Sequence, residues 1–561
     1  MKHLTLIAKK YKPLIAAFLL IGMTHAFLQS FTARYFQTVV DSFTNNSLTW
    51  SNIALYGTAL IMLYISGYLT EYPWRKLEHS IGLSLKLAAL KKLSTINYLS
   101  YVKLGTGTLI QRIESGSAAG RDILFEFYLR LAGELLPAML FSIIFVFTIN
   151  RTVMISILLG YVIVFIISNL LLKALYKVKE RILVNEEKFN HFLVRGFMEM
   201  VVFRINRRFA REISKAETAA KEIITSNVKM KMVHEAFFTI FAILIGFVKI
   251  GIIIYGWRAN ALTIGQIVAL VVLVDNAYQP IAIFNVLYVQ FKLDKIAFGR
   301  YAEFLDAQDD TRLSQGQQIT GLYGQISFAN VGFLYNEREI FQGLNLEIGQ
   351  GRAVALVGES GSGKSTAAKL IAGLLQPKSG EITIDGQNLQ QINLNSYYRH
   401  IAYLPQEPSI FNGTLRENLV FDEDVDPQLL TQAIKEAELS ELYAKLENGL
   451  NTQLGEKGVS LSGGERQQLA LARLWFTSAK IVILDEATSA IDNLTEEAVM
   501  KNVMAHLKGK TVIAIAHRLD SIKSFDNIIV FKDGQIAEQG RFEELLEKGQ
   551  HFYELYHRAQ V

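Results

Sequence analysis

The sequence predicts two folds in tandem, an α-helical membrane domain of six spans followed by an α/β domain built around a phosphate-binding loop. Three observations point there. Half of the 561 residues are hydrophobic and only 19% are charged, a balance that disfavours a purely soluble protein. Apolar stretches long enough for a helix to cross hydrocarbon, roughly 20 residues, all fall before residue 300. From Ile326 onward, short β-type runs such as ISFANV, LNLEI and AVALV alternate with helical patterns.

The six apolar stretches are 13–40, 53–72, 124–149, 153–172, 237–257 and 264–289. The first begins like a cleaved signal, with a basic start, an apolar run and small residues at Thr24 and Ala26. Hydrophobicity continues through Phe27, Phe31, Tyr35 and Val40, so a retained membrane helix is expected. The connections alternate in charge. Residues 41–52 hold no Lys or Arg and 150–152 and 258–263 hold one Arg each, whereas 73–121 and 173–231 are long and basic. The positive-inside rule then puts the N-terminus, with Lys2, Lys9, Lys10 and Lys12, both long connections and everything after residue 300 in the cytoplasm.

The long connections keep helical periodicity, as at Ile205, Phe209 and Ile213, and read as helices projecting beyond the bilayer. Gly105 and Gly107, and Arg195 with Gly196, mark expected breaks. Two pairs of charges inside spans stand out. Arg130 and Glu134 are four apart and should pair. Taking Ala261 as the turn, Lys249 and Asp275 fall at similar depth; an internal ion pair is one reading and a cation-binding Asp275 on the substrate pathway the other. There is no cysteine, which excludes disulfides, thiolate metal sites and cysteine nucleophiles.

In the second half, AVALVGESGSGKST places a phosphate-binding loop directly after a buried strand and before a helix expected from Thr366. Across Gly358, Glu359, Ser360, Gly361, Ser362, Gly363, Lys364, Ser365 and Thr366, the glycines let backbone N–H groups close on phosphate oxygens. Lys364 reaches the terminal phosphates and the Ser365 hydroxyl ligates Mg²⁺. KIVILDEATSAID supplies a second strand, whose end delivers Asp485 to hold Mg²⁺ through water and Glu486 to orient and deprotonate the attacking water.

The phosphate loop, LSGGERQ, ILDEATSAID and IAIAHRL together resemble the ATP-binding cassette ATPases over residues 326–545. The resemblance implies ATP and Mg²⁺ as ligands. It makes Tyr335 the aromatic that stacks on adenine, Gln406 a contact to Mg²⁺ and the attacking water, and His517 the switch histidine at the γ-phosphate. It also implies that Ser462, Gly463 and Gly464 close on a nucleotide held by another cassette, and that Asp492 belongs to the nucleotide-contacting set. One chain holds one cassette, so two glycine-rich loops read one ATP across a dimer.

Over its whole length the chain resembles the exporter-type half-transporters of that family. GTGTLIQRIESG follows the first coupling-helix region, VVDSF ends the first span, and GEKG at 455–458 matches the loop facing the coupling helices. RIESGSAAG lacks the usual Asn-Asp after Arg112, and FRINRRFARE replaces a more apolar segment. The expected organisation is a transmembrane domain with cytoplasmic extensions over 1–305, a linker over 306–325 and a nucleotide-binding domain over 326–561. The resemblance implies ATP-driven transport of a small molecule, peptide or lipid by alternating access, as export, in the inner (plasma) membrane of a bacterium. A siderophore-importing half and an ATP-gated channel stay open as alternatives. The implied partners are a second half-transporter, identical or different, membrane lipid and a transported substrate, with no nucleic acid.

Overall fold

A computed structural model describes the chain except residues 105, 260, 261, 336, 422–424, 456–460, 517 and 561; side chains at 106–108, 165, 168–177, 179, 180, 183, 187, 259, 559 and 560 are also outside the described set. The chain divides into two compact units, Met1–Ser94 with Leu104–Ala307, and Thr95–Lys103 with Gln308–Val561.

The first unit is helical: α1 Lys2–Lys10, α2 Lys12–Thr44, α3 Trp50–Leu93, α4 Tyr98–Leu104 (shared with the second unit), α5 Thr106–Arg121, α6 Leu136–Ile149, α7 Arg151–Met198, α8 Met200–Ile205, α9 Phe209–Ala259 and α10 Ile264–Leu305. Among the described residues, five helical stretches are long and apolar enough to span a membrane: Lys12–Thr44, Trp50–Leu93, Leu109–Ile149, Phe209–Arg258 and Ile264–Leu305. The span expected at 153–172 falls in α7, where the described apolar stretch Arg151–Val164 is shorter.

Core packing in this unit centres on α10, whose Leu270, Leu273, Val274, Ala277 and Tyr278 are fully buried. The Tyr278 hydroxyl donates to the Ile157 carbonyl at 3.0 Å and Tyr161 to that of Ala277 at 2.9 Å, so α7 and α10 are tied by two phenols, one buried and one half-buried. The start of α10 is capped twice. Thr263 and Gln266 form a capping box, and Asp41, at the end of α2, accepts from Thr263 Oγ1 at 2.8 Å and the Gly265 N–H at 2.9 Å. The acidic residue of VVDSF therefore fastens the first span to the last.

Two stretches between α5 and α6, Asp122–Leu129 and Leu131–Leu135, are π-helical. Arg130 sits between them, 2.9 Å from Glu134 as anticipated, and also 3.1 Å from Glu126 and over the Trp74 ring at 5.2 Å. The anticipated break at Arg195 and Gly196 is displaced: α7 continues to Met198, and the chain reverses at 206–208, where Arg207 adopts φ 53°. Arg208 N–H closes on the Phe203 carbonyl at 2.8 Å, and the Phe203 and Phe209 rings pack edge to face at 5.8 Å. The periodicity through Ile205, Phe209 and Ile213 thus crosses a turn rather than following one helix. The other expected break involves Gly105, which lies outside the described residues, as does the Ala261 turn.

The second unit holds strands β1 Ile326–Tyr335, β2 Arg338–Ile348, β3 Ala353–Gly358, β4 Ser379–Ile384, β5 Gln387–Asn388, β6 Ile401–Leu404, β7 Gly413–Thr414, β8 Gln453–Leu454, β9 Ile481–Asp485, β10 Thr511–Ile515, β11 Asn527–Lys532 and β12 Gln535–Gly540. A four-stranded antiparallel sheet runs β2-β1-β4-β5, and a six-stranded sheet runs β12-β11-β3-β10-β9-β6. β3, β9 and β10 are almost wholly apolar and buried, the pattern of strands covered on both faces. Parallel pairing of β6 with β9 sets Leu404 beside Leu484, and that of β9 with β10 sets Asp485 beside Ile515. The carboxyl ends of β3, β9 and β6 therefore open on one edge of the sheet, where open α/β sheets bind ligands. Tyr98 and Leu99, from the 95–103 segment that groups with this unit, pack against its core.

Candidate nucleotide site

The phosphate loop leaves β3 at Gly358 and turns into the helix Lys364–Ile371, which begins two residues before the expected Thr366 because Gly363, at φ 110°, serves as its N-cap. Gly361, at φ 83°, takes a second left-handed position that L side chains adopt at a cost. The Lys364 ammonium curls back to donate to the Gly358 carbonyl at 2.8 Å and that of Glu359 at 2.9 Å. Burial depresses its pKa, while Glu486 and Asp485 oppose that shift. Ser362 Oγ is buried without a partner, and Glu359 reaches outward to Arg558 at 3.2 Å. The loop is thus a cradle of amides around a caged cation, which fits an oligophosphate.

Asp485, only 6% exposed, ends β9 beside this loop. Its Oδ1 accepts from Ser365 Oγ at 3.3 Å and its Oδ2 from the Tyr403 hydroxyl at 2.8 Å. Burial, then Asp485, raises the Tyr403 pKa, so the phenol stays a donor. Ser365, Asp485 and the Gln406 carboxamide offer hard oxygens, the donor chemistry that Mg²⁺ takes with phosphate oxygens completing its shell.

Glu486 follows in a left-handed conformation, φ 53°. For a side chain other than glycine that costs roughly 1–2 kcal/mol. The turn breaks the strand after Asp485 and swings Glu486 to Gln406, whose Nε2 donates to Glu486 Oε2 at 2.5 Å. Strained backbone thus sits at the residue read as the general base.

LSGGERQ opens the helix Gly463–Ala472. Ser462 caps it in a box with Glu465: the Glu465 N–H donates to Ser462 Oγ at 3.2 Å, and the Ser462 N–H to Glu465 Oε2 at 2.7 Å. Gly463, Arg466 and Gln467 line a groove of about 1030 Å³ together with Gln406, Phe411 and Ser489. Gln467, buried in that helix, donates to the Gln406 carbonyl at 3.3 Å and Ser489 Oγ at 3.0 Å, and accepts from the Ala490 N–H at 2.7 Å.

The remaining predicted residues lie around this centre. Tyr335, half-buried at the end of β1, packs edge to face on Phe333 at 4.9 Å. Asp492 caps the helix Asn493–His506, accepting from the Thr495 N–H at 3.1 Å, and that bond lowers its pKa. His517 and most of GEKG lie outside the described residues. Arg518 is held by Glu496 Oε2 at 2.6 Å and the Ile491 carbonyl at 2.7 Å, and Glu496 also accepts from Thr488 at 2.8 Å. Tyr403, Gln467, Glu496 and Arg518 escaped sequence reasoning. The RQ after LSGGE and the RL after His517 were the available signals for two of them.

In the membrane unit, the Lys249 ammonium meets the Asp275 carboxylate at 2.6 Å, with the Asp275 side chain 52% exposed. The expected ion pair forms, with Asp275 half exposed within one chain.

Residues 341–489 match the ABC transporter family model. The chain is 36% identical over 342 residues to the Bacillus subtilis uncharacterized ABC transporter ATP-binding protein YwjA, covering 60% of this chain and 58% of that one. It is 37% identical over 304 residues to the leukotoxin translocation ATP-binding protein LktB of Mannheimia haemolytica, covering 54% and 43%. It thus spans about half the length of these curated relatives. Among solved structures, a bacterial Atm1-family ABC exporter with ATP bound matches at TM-score 0.83 and 23% identity over 99% of both chains, which is a likeness of fold.

Proposed function

We infer, from the premise that this is an ATP-binding cassette protein with the fold of an exporter half-transporter, that two such halves form an ATP-driven exporter. The observation that carries this reading is the meeting of Lys364, Ser365, Asp485, Gln406 and Glu486 at the carboxyl ends of three parallel strands of one sheet, β3, β9 and β6. Residues 326–561 form the nucleotide-binding domain, 306–325 the linker and 1–305 the membrane domain with its cytoplasmic extensions. The protein sits in a bacterial plasma membrane with its N-terminus and cassette in the cytoplasm.

Lys364, beside the Gly358 and Glu359 carbonyls, reaches the terminal phosphate oxygens of the nucleotide. Ser365 and Asp485, with Gln406, are the residues that would hold Mg²⁺, and the ion would supply neutralisation of charge on the transferred phosphoryl group. Tyr335 stacks on the adenine. Glu486 takes the proton of the attacking water, Gln406 orients that water and His517 senses the γ-phosphate. Ser462, Gly463 and Gly464, with Asp492 nearby, close on the nucleotide from the other half. Hydrolysis then removes contacts that favoured the closed pair and lets the membrane halves change access.

Export is the direction favoured by a relative named for leukotoxin translocation; the cargo class is a small molecule, peptide or lipid. The test is steady-state ATPase of the purified full chain in proteoliposomes. Mg²⁺-dependent hydrolysis that Lys364→Ala removes supports the reading, and hydrolysis unaffected by that change overturns it.

A further inference from the structure

We propose that Tyr403 is a positioning residue of the nucleotide site, whose hydroxyl fixes the Asp485 carboxylate for the divalent cation. The proposal rests on the cassette reading above and adds a component to it.

Asp485 has two side-chain donors, one on each oxygen. The contact from Ser365 is long, 3.3 Å, and that from Tyr403 is short, 2.8 Å. The two cannot play the same part once a cation is held. Ser365 can give a lone pair to the metal while its O–H stays on Oδ1, so it would be a ligand, whereas the Tyr403 hydroxyl acts only by holding Oδ2 through the shorter bond. That bond commits Oδ2 and leaves Oδ1 toward Ser365.

The backbone explains why the phenol is there. β6 pairs parallel with β9, setting Tyr403 beside Ile483 and Leu404 beside Leu484. The ring, packed against the main core of this unit, reaches along β9 to the acid at its end. Three residues later the same segment delivers Gln406 to Glu486. One edge strand therefore positions both acids, Tyr403 the one read as metal-holding and Gln406 the one read as general base. A phenylalanine at 403 would keep the ring and its packing while leaving Asp485 Oδ2 without that donor, so the hydroxyl can be tested apart from the fold.

The experiment uses the full chain in a Glu486→Gln background, so that bound ATP persists, with Mn²⁺ as the probe read by electron paramagnetic resonance. Tyr403→Phe should weaken Mn²⁺ binding in the presence of ATP about tenfold, the range seen when a partner of a metal ligand is removed. ATP affinity in EDTA should change less than about twofold, since an oriented carboxylate matters only to the metal. Unchanged Mn²⁺ affinity overturns the proposal, as does an equal loss of metal-free ATP binding, which would mean the site itself had shifted. Asp485→Asn separates the two levels. If it leaves Mn²⁺ binding intact, the cassette reading of Asp485 fails; if it abolishes binding while Tyr403→Phe does nothing, only the positioning role fails.

Discussion

Gln406 donates its side-chain amide to the carboxylate of Glu486, joining residues 80 positions apart at the ends of adjacent strands. The two side chains proposed to address the attacking water are thus in direct contact. Glu486→Gln should therefore retain ATP yet hydrolyse it at least about a hundredfold more slowly, because the base is lost while the phosphate cradle stays. Steady-state ATPase and nucleotide retention of the purified protein check this, and near-normal turnover would remove Glu486 from the mechanism.

Ser462 spends its side chain and N–H on a capping box with Glu465, which fixes the start of the Gly463–Ala472 helix as an anion seat. On the proposal that it acts on the other half's nucleotide, it should crosslink to Ser360 of a second chain when both are changed to Cys, and only with ATP present. Crosslinks confined to single chains would reject action across a dimer. Mixing Lys364→Ala with Gly464→Asp chains should restore part of the activity, through the one interface that keeps both parts intact.

Much of this site was legible because its chemistry restricts both residue type and spacing. A loop that wraps phosphate needs glycines at left-handed positions, which Gly361 and Gly363 occupy, and a lysine and hydroxyl at set distances. Asp485 and Glu486 were legible as acids after an apolar strand. Tyr403 was not, since a tyrosine in a strand is ordinary and its partner lies 82 residues away. Gln467 likewise acts through contacts to Gln406, Ser489 and Ala490 that only folding brings together. In the membrane unit the apolar pattern marked the helices, but not their ends. Helical geometry carries α7 past Gly196 to Met198, and the reversal depends on Arg207 taking a conformation that its residue type does not advertise.

Asp41 offers a test of how the first and last spans are joined. Its carboxylate accepts from Thr263 Oγ1, the Gly265 N–H and Gln37 Nε2. Asp41→Ala should destabilise the full chain by about 1–2 kcal/mol, the range for losing a helix cap, read as a lower melting temperature in detergent. Unchanged melting would show that the Thr263 box alone is sufficient.

His506 gives the cassette a pH dependence. Its ring stacks on Trp475 at 4.9 Å, and its Nε2 is buried without a partner. Burial, then Lys510, holds its pKa below the usual 6.5, with the Leu474 backbone and Glu436 opposing. The unfolded chain therefore takes up this proton at a higher pH than the native one. The stabilising contribution is complete above the unfolded value and is lost as pH falls through the native one. Melting temperature should drop between about pH 7.5 and 5.5, and His506→Gln should flatten that slope. An equally steep slope in the variant would assign the effect to other groups.

Lys249 and Asp275 form an ion pair across α9 and α10, on a face that one chain leaves partly open. We expect the pair to be functionally coupled and to mark the transport pathway, because a charge stranded alone in a membrane domain is expensive. Breaking such a pair costs more than removing it whole, since the partner left behind keeps its desolvation penalty without its counter-charge. Asp275→Asn alone should lower thermal stability or substrate-stimulated ATPase while basal hydrolysis continues. If the pair is structural, adding Lys249→Met should recover much of that loss. If Asp275 holds a cationic cargo, the double variant should regain stability and still fail to respond to substrate. Thermal melting and stimulated ATPase of the two single variants and the double one decide between these, and strictly additive effects in both assays would reject coupling.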